Sequence, residues 1–356
     1  MANLGARGNK MFLSYDDVLL VPKYSDISSR KNIDVSSNLD SDMKLRLPVI
    51  SSPMDTVTES DMAIAMSDFG GLGVIHRYNT IQEQVSIFRR CLDADRNGFY
   101  ACAIGVSDDY LNRADALRRA GCKILCLDVA HGHHKLVKMA IHNLKLEMPH
   151  VHIMAGNVAT GRAYRDLADW GADSIRVGIG GGSICSTRIQ TGHGVPTLHS
   201  IQEISKEKDK LRSEGLRVVP VIADGGIKNS GDAVKALAFG ADFVMLGSLL
   251  SGTDETPSLS FPDQSGSKKM LYRGMASKEA QNDWKGSHSS EEGVETWVDY
   301  KGSVVDILKS LKQGIRSGFS YSGARNLEDF QENVEWIVQT SLGANESSTH
   351  IFSVRK

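Results

Sequence analysis

One recurring pattern constrains the fold of this chain more than any other feature: a helix-compatible stretch, a glycine and a short apolar segment. AGCKILCLD (120–128), WGADSIRVG (170–178) and FGADFVMLG (239–247) all show it, and FGGLGVIH from Phe69 is a looser copy. A glycine that ends a helix, followed by a buried strand, is typical of the βα units of a parallel sheet. The sequence therefore predicts an α/β fold in which helices alternate with parallel strands.

Several apolar segments are candidates for buried strands, and their number points to a closed barrel. They are residues 47–51, 72–75, 99–104, 124–128, 151–155, 174–178, 218–223 and 243–247. Eight strands with intervening helices favour a (β/α)8 TIM barrel over an open doubly wound sheet. An open sheet would be expected to carry GxGxxG after its first strand, and none follows residues 47–51. We expect a single barrel domain over residues 1–356.

Three segments lie outside this repeat. Residues 1–46 form an N-terminal extension. Residues 251–301 follow the eighth strand, are rich in Ser, Gly, Asp, Glu and Lys, and have no clear hydrophobic period, so we expect an irregular, mobile lid. After a last helix at 303–319, we expect the C-terminal tail, 338–356, to be peripheral or disordered.

Charge and composition exclude several classes of protein. A formal net charge of −2 argues against a nucleic-acid-binding protein that depends on bulk positive charge. The sequence has no run of ~18 apolar residues that could span a membrane, and its N-terminus lacks the apolar segment of a secretory signal. Its five cysteines lack paired zinc-type spacing, so we expect free thiols and a cytoplasmic location.

The loops after the predicted strands are polar and rich in glycine, and in a barrel these loops build the active site. DGGIKNSG (224–231) and GSLLSGT (247–253) follow the seventh and eighth strands, where barrels often bind phosphate through glycine amides and a helix N-terminus. The candidate phosphate ligands are Gly225, Gly226, Gly247 and Ser248. Each loop, taken alone, is also compatible with an ordinary turn.

Loop 178–194, GIGGGSICSTRIQTGHG, is the most specific feature of the chain. Its glycines free the backbone for unusual dihedral angles and let carbonyl groups converge. Cys185 lies in the middle of this loop, with Ser183, Ser186 and Thr187 close by. A cysteine in a polar loop at a barrel mouth is a candidate nucleophile, although an incidental position explains it as well.

Other polar residues near the strand ends have two interpretations each. HGHH at 131–134 suggests a metal site or, more simply, a solvated helix start, because two adjacent histidines and a glycine give no fixed ligand face. Asp128 and Asp224 each end a predicted strand. They either bind ribose hydroxyls or cap the helix that follows.

Four further residues have the same ambiguity. His76 ends the second predicted strand and is either a base or a structural histidine. Asn157 either hydrogen-bonds an amide-bearing ligand or only shapes its turn. Ser52 and Met54 line a base pocket, unless the methionine belongs to the core.

A set of ordered motifs extends these observations. The motifs are SSPMDTVTE (51–59), LDVAHGH (127–133), GNVAT (156–160), GIGGGSICSTR (178–188), ADGGI (223–227), MLGSLL (245–250) and YRGM (272–275). In this order they resemble the IMP dehydrogenase/GMP reductase family, and the match runs from about Ser14 to Phe330. The resemblance implies a (β/α)8 barrel, a homotetramer, and purine-nucleotide chemistry through a covalent cysteine adduct, with a nicotinamide dinucleotide as cofactor.

The resemblance also assigns roles to individual residues. Cys185 matches the nucleophile that attacks purine C2, and Thr187 lies beside it. The substrate-binding positions are Ser52, Met54, Ser183, Asp224, Gly225, Gly226, Gly247, Ser248, Tyr272, Gly274 and Met275. The cofactor-side positions are Asp128, Asn157, Gly178 and Gly180, and the carbonyls of Gly180, Gly182 and Cys185 match a loop that binds a monovalent cation such as K⁺. The family usually has proline where Gly181 stands.

The branch of the family is indicated by what the chain lacks. The dehydrogenases usually insert a pair of CBS modules, but residues 88–99 run straight into the third predicted strand. They also need an Arg–Tyr pair in the lid to activate water, and no arginine lies between Met275 and Tyr300. Glu292 matches the glutamate that, in reductases, works with the threonine after the cysteine.

The expected activity is therefore NADPH-dependent reduction of GMP to IMP and ammonia, with Cys185, Thr187 and Glu292 as the catalytic residues. SSPMDTVTE and AHGH look more like the dehydrogenase branch, so an IMP dehydrogenase without CBS modules, converting IMP and NAD to XMP, is the alternative. A catalytically inactive nucleotide-binding protein is a third hypothesis, against which the intact Cys185 speaks. We expect no nucleic-acid or membrane partner.

Overall fold

The segment before the barrel contains short elements of secondary structure. The structure, a computed structural model, describes residues 11–107, 109–288 and 291–347, so parts of the expected N-terminal extension and C-terminal tail lie outside the described residues. The elements are two 3₁₀ helices (Tyr15–Asp17 and Arg30–Asn32) and strands β1 (Val18–Leu20), β2 (Ser37–Asn38) and β3 (Lys44–Leu45). Leu39 and Met43 of the β2–β3 hairpin pack against side chains inside the barrel. The hairpin thus closes the end at which the barrel strands begin.

Eight parallel strands form a closed barrel, which confirms the predicted (β/α)8 fold. They are β4 (Val49–Ser51), β5 (Leu72–Ile75), β6 (Tyr100–Ile104), β7 (Ile124–Asp128), β8 (His152–Val158), β9 (Ser174–Val177), β10 (Val221–Asp224) and β11 (Phe243–Leu246). The barrel closes where β11 pairs with β4, with Val244 opposite Val49. Each strand overlaps one of the predicted segments.

Helices alternate with these strands. They are α1 (Ser60–Phe69), α2 (Ile81–Ala94), α3 (Tyr110–Arg119), α4 (Lys135–Glu147), α5 (Gly161–Trp170), α6 (Thr187–Thr191), α7 (Thr197–Ser213), α8 (Ser230–Ala238), α9 (Lys278–Lys285), α10 (Val304–Tyr321), α11 (Leu327–Asn333) and α12 (Ser341–Glu346). Gly171 ends α5 with a φ of +109°, a left-handed conformation that favours glycine. The recurring glycine in the sequence pattern is thus a helix end, as predicted.

The core has two layers, one inside the barrel and one between the strands and the helices. Val74, Met154 and Phe243 point inward and are fully buried. Leu125 and Val244 belong to the outer layer, which packs against the helices. Because both faces of each strand are buried, the strands are continuous apolar runs, and this is why they could be recognised in the sequence.

The segment 251–301, which we call the lid, is more regular than its composition predicted. It forms a three-stranded antiparallel sheet of β12 (Ser260–Pro262), β13 (Lys268–Arg273) and β14 (Glu295–Asp299), with α9 between β13 and β14. The expectation of an irregular segment was therefore wrong. β12 is exposed along its whole length and β14 along most of it, so these strands need no apolar period and cannot be recognised by one. The mobility of the lid stays a prediction.

The C-terminal tail is also partly regular. Strand β15 (Trp336–Val338) pairs with β1 of the N-terminal extension, with Val338 opposite Val18. Helix α12 follows, and it is exposed. As far as the structure describes it, the tail thus contains regular secondary structure, and its strand forms because β1 offers a pairing edge.

Among the described residues, no helix has the length and apolar character that crossing a membrane requires.

Candidate active site

A cavity of about 350 Å³ opens where the barrel strands end, and it is lined by every residue that the sequence assigned to the site. The lining includes Cys185, Thr187, Glu292, Ser52, Met54, Ser183, Asp224, Gly225, Gly226, Gly247, Ser248, Tyr272, Gly274, Met275, Asp128, Asn157, Gly178, Gly180 and Gly182. These residues come from loops after β4, β7, β8, β9, β10 and β11 and from the lid. The fold thus brings together positions that are far apart in the chain.

Three side chains form a continuous hydrogen-bond chain at the lid side of this cavity. The Cys185 thiol donates to Thr187 Oγ1 at 3.2 Å, and the Thr187 hydroxyl donates to Glu292 Oε2 at 2.7 Å. Cys185 and Thr187 lie before and at the start of α6, and Glu292 belongs to the lid. This arrangement links a thiol, through one hydroxyl, to a carboxylate that can accept or return a proton.

Main-chain pairing between the lid and the cysteine loop fixes the position of Glu292. Cys185 and Gly293 form an isolated antiparallel bridge, and the Ser186 amide donates to the carbonyl of Glu292 at 3.0 Å. The Val294 amide donates to the carbonyl of Ile184 at 3.1 Å. The carboxylate therefore reaches Thr187 because the lid adds a short strand to this loop.

The remaining cysteines differ from Cys185 in their surroundings. Cys91, Cys102, Cys122 and Cys126 are buried, whereas Cys185 is partly exposed in the cavity. Burial raises the pKa of Cys91 to about 12 and that of Cys126 to about 11. Since the thiolate is the nucleophile, these buried thiols are poorly suited to attack a ligand.

Hydroxyl groups converge around Tyr272 in the wall of the cavity. Tyr272 is buried, which raises the pKa of its phenol to about 12, and hydrogen bonds with Ser183 and Ser248 oppose this shift. A Cβ atom at Gly247 would lie 3.0 Å from Tyr272 Oη, so glycine lets the main chain lie close to this hydroxyl without displacing it. Three hydroxyls next to glycine main chain make a site suited to a phosphate group.

A buried arginine connects two carboxylates in the floor of the cavity. Arg176 donates to Asp128 Oδ1 and to Asp224 Oδ2, both at 2.8 Å, and Asn157 Nδ2 donates to the same Asp224 oxygen at 2.8 Å. Neither aspartate caps a helix, because His134 caps α4 and Asn229 caps α8. The capping interpretation is therefore wrong.

Arg176 was not among the predicted site residues, although the sequence shows it as a charge within a predicted strand. It is the single charged residue in the apolar strand SIRV, and a charge at a buried strand position requires partners. The arginine lies between an aspartate expected on the substrate side and one expected on the cofactor side. It therefore fixes the distance between the two.

The two histidine motifs have structural partners. His76 is buried, its Nε2 lies 3.0 Å from Glu59 Oε1, and its Nδ1 accepts from the Tyr78 amide. His134 is the N-cap of α4, and His133 Nε2 lies 2.8 Å from Asp166. These contacts match the structural interpretation of His76 and the helix-start interpretation of HGHH.

The loop that matches a cation site offers backbone carbonyl oxygens as ligands, but one of these carbonyls already accepts a hydrogen bond. Backbone carbonyl oxygens are the groups that coordinate monovalent cations in proteins. The carbonyl of Gly182, however, accepts the amide of Cys185 at 3.2 Å, which uses one of its lone pairs. Proton transfer along Cys185, Thr187 and Glu292 does not require a cation.

The structure has no free space for a side chain at position 181, where the family usually has proline. A Cβ atom at Gly181 would lie 2.3 Å from Thr197 Oγ1, and Thr197 is itself buried. The Thr197 side chain therefore occupies the space that a side chain at 181 would need. Gly181 and Thr197 form a complementary pair beneath the cysteine loop.

Gly181→Ala should lower the midpoint of thermal unfolding, because an added methyl overpacks this contact at a cost of about 1–2 kcal/mol. Adding Thr197→Ala should restore most of the loss, since the space is then open. A double variant no more stable than Gly181→Ala alone would show that the two residues are not coupled in this way.

The family model for the IMP dehydrogenase / GMP reductase domain matches residues 12–350, and the chain belongs to that family. It is thus an oxidoreductase of purine metabolism whose family uses a nicotinamide dinucleotide. The inosine-5′-monophosphate dehydrogenase of Nitrosopumilus maritimus is 34% identical, with 95% of this chain and 98% of that protein covered. The corresponding enzyme of Cryptosporidium parvum is 32% identical, with 99% and 98% covered.

A solved structure that is similar to this chain belongs to the reductase branch of the family. GMP reductase from Trypanosoma brucei, determined as a variant in complex with guanosine 5′-monophosphate, superimposes with a TM-score of 0.89 at 29% sequence identity. The match covers 97% of this chain and 98% of that one. The family and the fold are thereby established, while the two comparisons name different activities.

Proposed function

We propose that this chain is a GMP reductase that converts GMP, NADPH and protons into IMP, NADP⁺ and ammonium. The observation that supports it is the hydrogen-bond chain from Cys185 through Thr187 to Glu292. Reductive deamination must place a proton on the departing amine, because a free amide ion is not a viable leaving group. A thiol connected to a carboxyl through a hydroxyl can supply that proton.

This hydrogen-bond chain determines the order of the proton transfers. Glu292 takes the thiol proton through Thr187, and the Cys185 sulfur then bonds to purine C2. The protonated Glu292 returns the proton through the Thr187 hydroxyl to the amine, and the C2–N bond breaks as ammonia leaves. The nicotinamide dinucleotide supplies the hydride that reduces C2. The carbon–sulfur bond then breaks, which releases IMP and the thiolate.

The remaining cavity residues hold the nucleotide in this proposal. Ser183, Ser248 and Tyr272, with the main chain of Gly225, Gly226 and Gly247, bind the phosphate, and Asp224 binds the ribose hydroxyls. Ser52, Met54, Gly274 and Met275 form the walls of the purine site. Their shared place in one cavity supports these roles.

The cofactor side lies next to these groups. Asp128, Asn157, Gly178 and Gly180 line the same cavity, and Arg176 ties Asp128 to Asp224. We assign these residues to the nicotinamide half of NADPH. We further propose a cytoplasmic homotetramer, and K⁺ as the ion of the Gly180–Gly182–Cys185 loop.

IMP dehydrogenase is the second candidate, favoured by the curated relatives and by the SSPMDTVTE motif. That activity hydrolyses the adduct, and the resemblance implies that a lid Arg–Tyr pair activates the water. The lid arginine of this chain, Arg273, is engaged by Asp55 at 2.6 Å and Asp283 at 2.6 Å. Loss of a general base typically costs ~10²–10⁴-fold in rate, so the reductase is the better-supported activity.

The products of two incubations, GMP with NADPH and IMP with NAD⁺, test the proposal. GMP with NADPH should yield IMP and an equal amount of ammonia, both measured by chromatography and a coupled ammonia assay. Formation of XMP from IMP and NAD⁺, without IMP formation from GMP, would favour the dehydrogenase instead.

The lid should become more resistant to protease when nucleotide and cofactor are bound together, because its outer strands β12 and β14 are largely exposed and closure would cover them. Limited proteolysis with cleavage sites mapped by mass spectrometry measures this. Equal cleavage within 251–301 with and without the two ligands would contradict a mobile lid.

A further inference from the structure

One aromatic residue of the barrel contacts the lid at two separate points. The ring of Tyr78, which follows β5, stacks on the ring of Trp284 in α9, with centroids 4.2 Å apart and an interplanar angle of 17°. The Tyr78 hydroxyl donates to the main-chain carbonyl of Met275 at 2.6 Å. Tyr78 and Met275 both line the cavity. A single side chain therefore joins the lid helix to a wall of the site.

Positive charges complement the faces of this stack. The Arg77 guanidinium lies 5.5 Å from the centroids of both rings, and the Lys285 ammonium lies 4.4 Å from that of Trp284. Arg77 also donates to the carbonyl of Asp128 at 3.2 Å. Cations over aromatic faces stabilise such contacts. The stack is thus anchored to the barrel on one side and to the lid helix on the other.

Met275 is held at both ends. Its carbonyl accepts from Tyr78, and its sulfur accepts from the Asp55 amide at 3.3 Å. The preceding Gly274 is paired with the lid through its amide, which donates to the carbonyl of Val294 at 3.1 Å. The barrel contacts of Met275 are therefore made by the Tyr78 hydroxyl and the Asp55 main chain.

We propose that Tyr78 is a positioning residue for the purine site: its hydroxyl fixes the Met275 main chain while its ring takes Trp284 of the lid helix. When α9 is stacked on Tyr78, the Met275 main chain is held in the position in which it forms a wall for the purine base. This inference rests on the proposed function, in which Met275 is a wall of the purine site.

Two variants separate the two contacts. Tyr78→Phe keeps the ring that stacks on Trp284 and removes the hydrogen-bond donor to Met275. Trp284→Leu keeps the donor and removes the stack. Both changes are at partly exposed positions, so the variants should fold, which thermal unfolding checks.

Calorimetric titration with GMP and with ribose 5-phosphate distinguishes positioning from general destabilisation. Each variant should weaken GMP binding by about fivefold, the size expected for one hydrogen bond or one aromatic contact. Binding of ribose 5-phosphate, which lacks the base, should stay within about twofold, because the contacts proposed for its phosphate and hydroxyls do not include Met275. The double variant should lose less than the product of the two single losses, because both contacts act through Met275.

Matched controls exist in the lid itself. Tyr300→Phe removes a hydroxyl that donates to Asp254 at 2.8 Å, and Trp297→Leu removes a ring that lies 6.1 Å from Phe261. These residues do not line the cavity, so both controls should bind GMP as the unaltered protein does.

Two results would overturn the proposal: unchanged GMP binding in both variants, or an equal loss for GMP and ribose 5-phosphate. Failure of the proposed function has a different signature. In that case the unaltered protein itself would fail to convert GMP and NADPH into IMP and ammonia, whatever the variants bind.

Discussion

Cys185→Ala is expected to abolish turnover, with a loss of at least about 10³-fold, because Cys185 supplies the thiol that lines the cavity and the proposed bond to purine C2 is made by its sulfur. The affinity for GMP should stay within about threefold, since the contacts to phosphate and ribose are retained. Steady-state assays measure the first quantity and calorimetry the second. The difference between the two separates loss of the nucleophile from loss of the site.

A buried cysteine provides the control for this variant. Cys91→Ala removes a thiol whose pKa burial raises to about 12 and which does not line the cavity, so the folded protein should remain active. Mass spectrometry of a trapped purine adduct should locate it on Cys185. An adduct on any other cysteine would contradict the assignment.

Glu292→Gln should lower the rate of GMP reduction by about 10²-fold or more, because the amide cannot take the thiol proton through Thr187 and return it to the amine. The amide can still hydrogen-bond Thr187, so the lid pairing around Cys185 and Gly293 should persist. GMP affinity should change little. Single-turnover kinetics with GMP and NADPH measure the affected step.

Neighbouring acidic residues test the register of this assignment. Glu291 is exposed and lies 3.6 Å from His288, away from Thr187, so Glu291→Gln should reduce GMP at the normal rate. If Glu291→Gln were inactive and Glu292→Gln active, the position of the acid would be misassigned. If neither change mattered, the proton path through Thr187 would be wrong.

The barrel and much of the candidate site were accessible from the sequence for a physical reason. Strands buried on both faces appear as apolar runs, and a closing glycine such as Gly171 marks the helix before a strand. The site loops stand out because polar residues and glycines collect after these strands. Cys185 was identifiable in the same way, as a thiol outside any apolar segment.

Other features depend on contacts between distant segments and left weak signals. The lid strands pair with one another, and the outer strands β12 and β14 are largely exposed, so no apolar period reveals these two. Arg176 showed only as a charge in a buried strand, and its partners Asp128 and Asp224 lie on two other strands that are distant in the sequence. The stack of Tyr78 on Trp284 joins residues that no local pattern connects.

The absorbance band of reduced nicotinamide tests directly whether this chain reduces GMP. Initial rates are compared for GMP with NADPH or NADH and for IMP with NAD⁺, using the same protein preparation. We expect loss of absorbance with GMP and a reduced cofactor, and no gain with IMP and NAD⁺. A steady gain with IMP and NAD⁺, with no loss with GMP, would contradict this expectation.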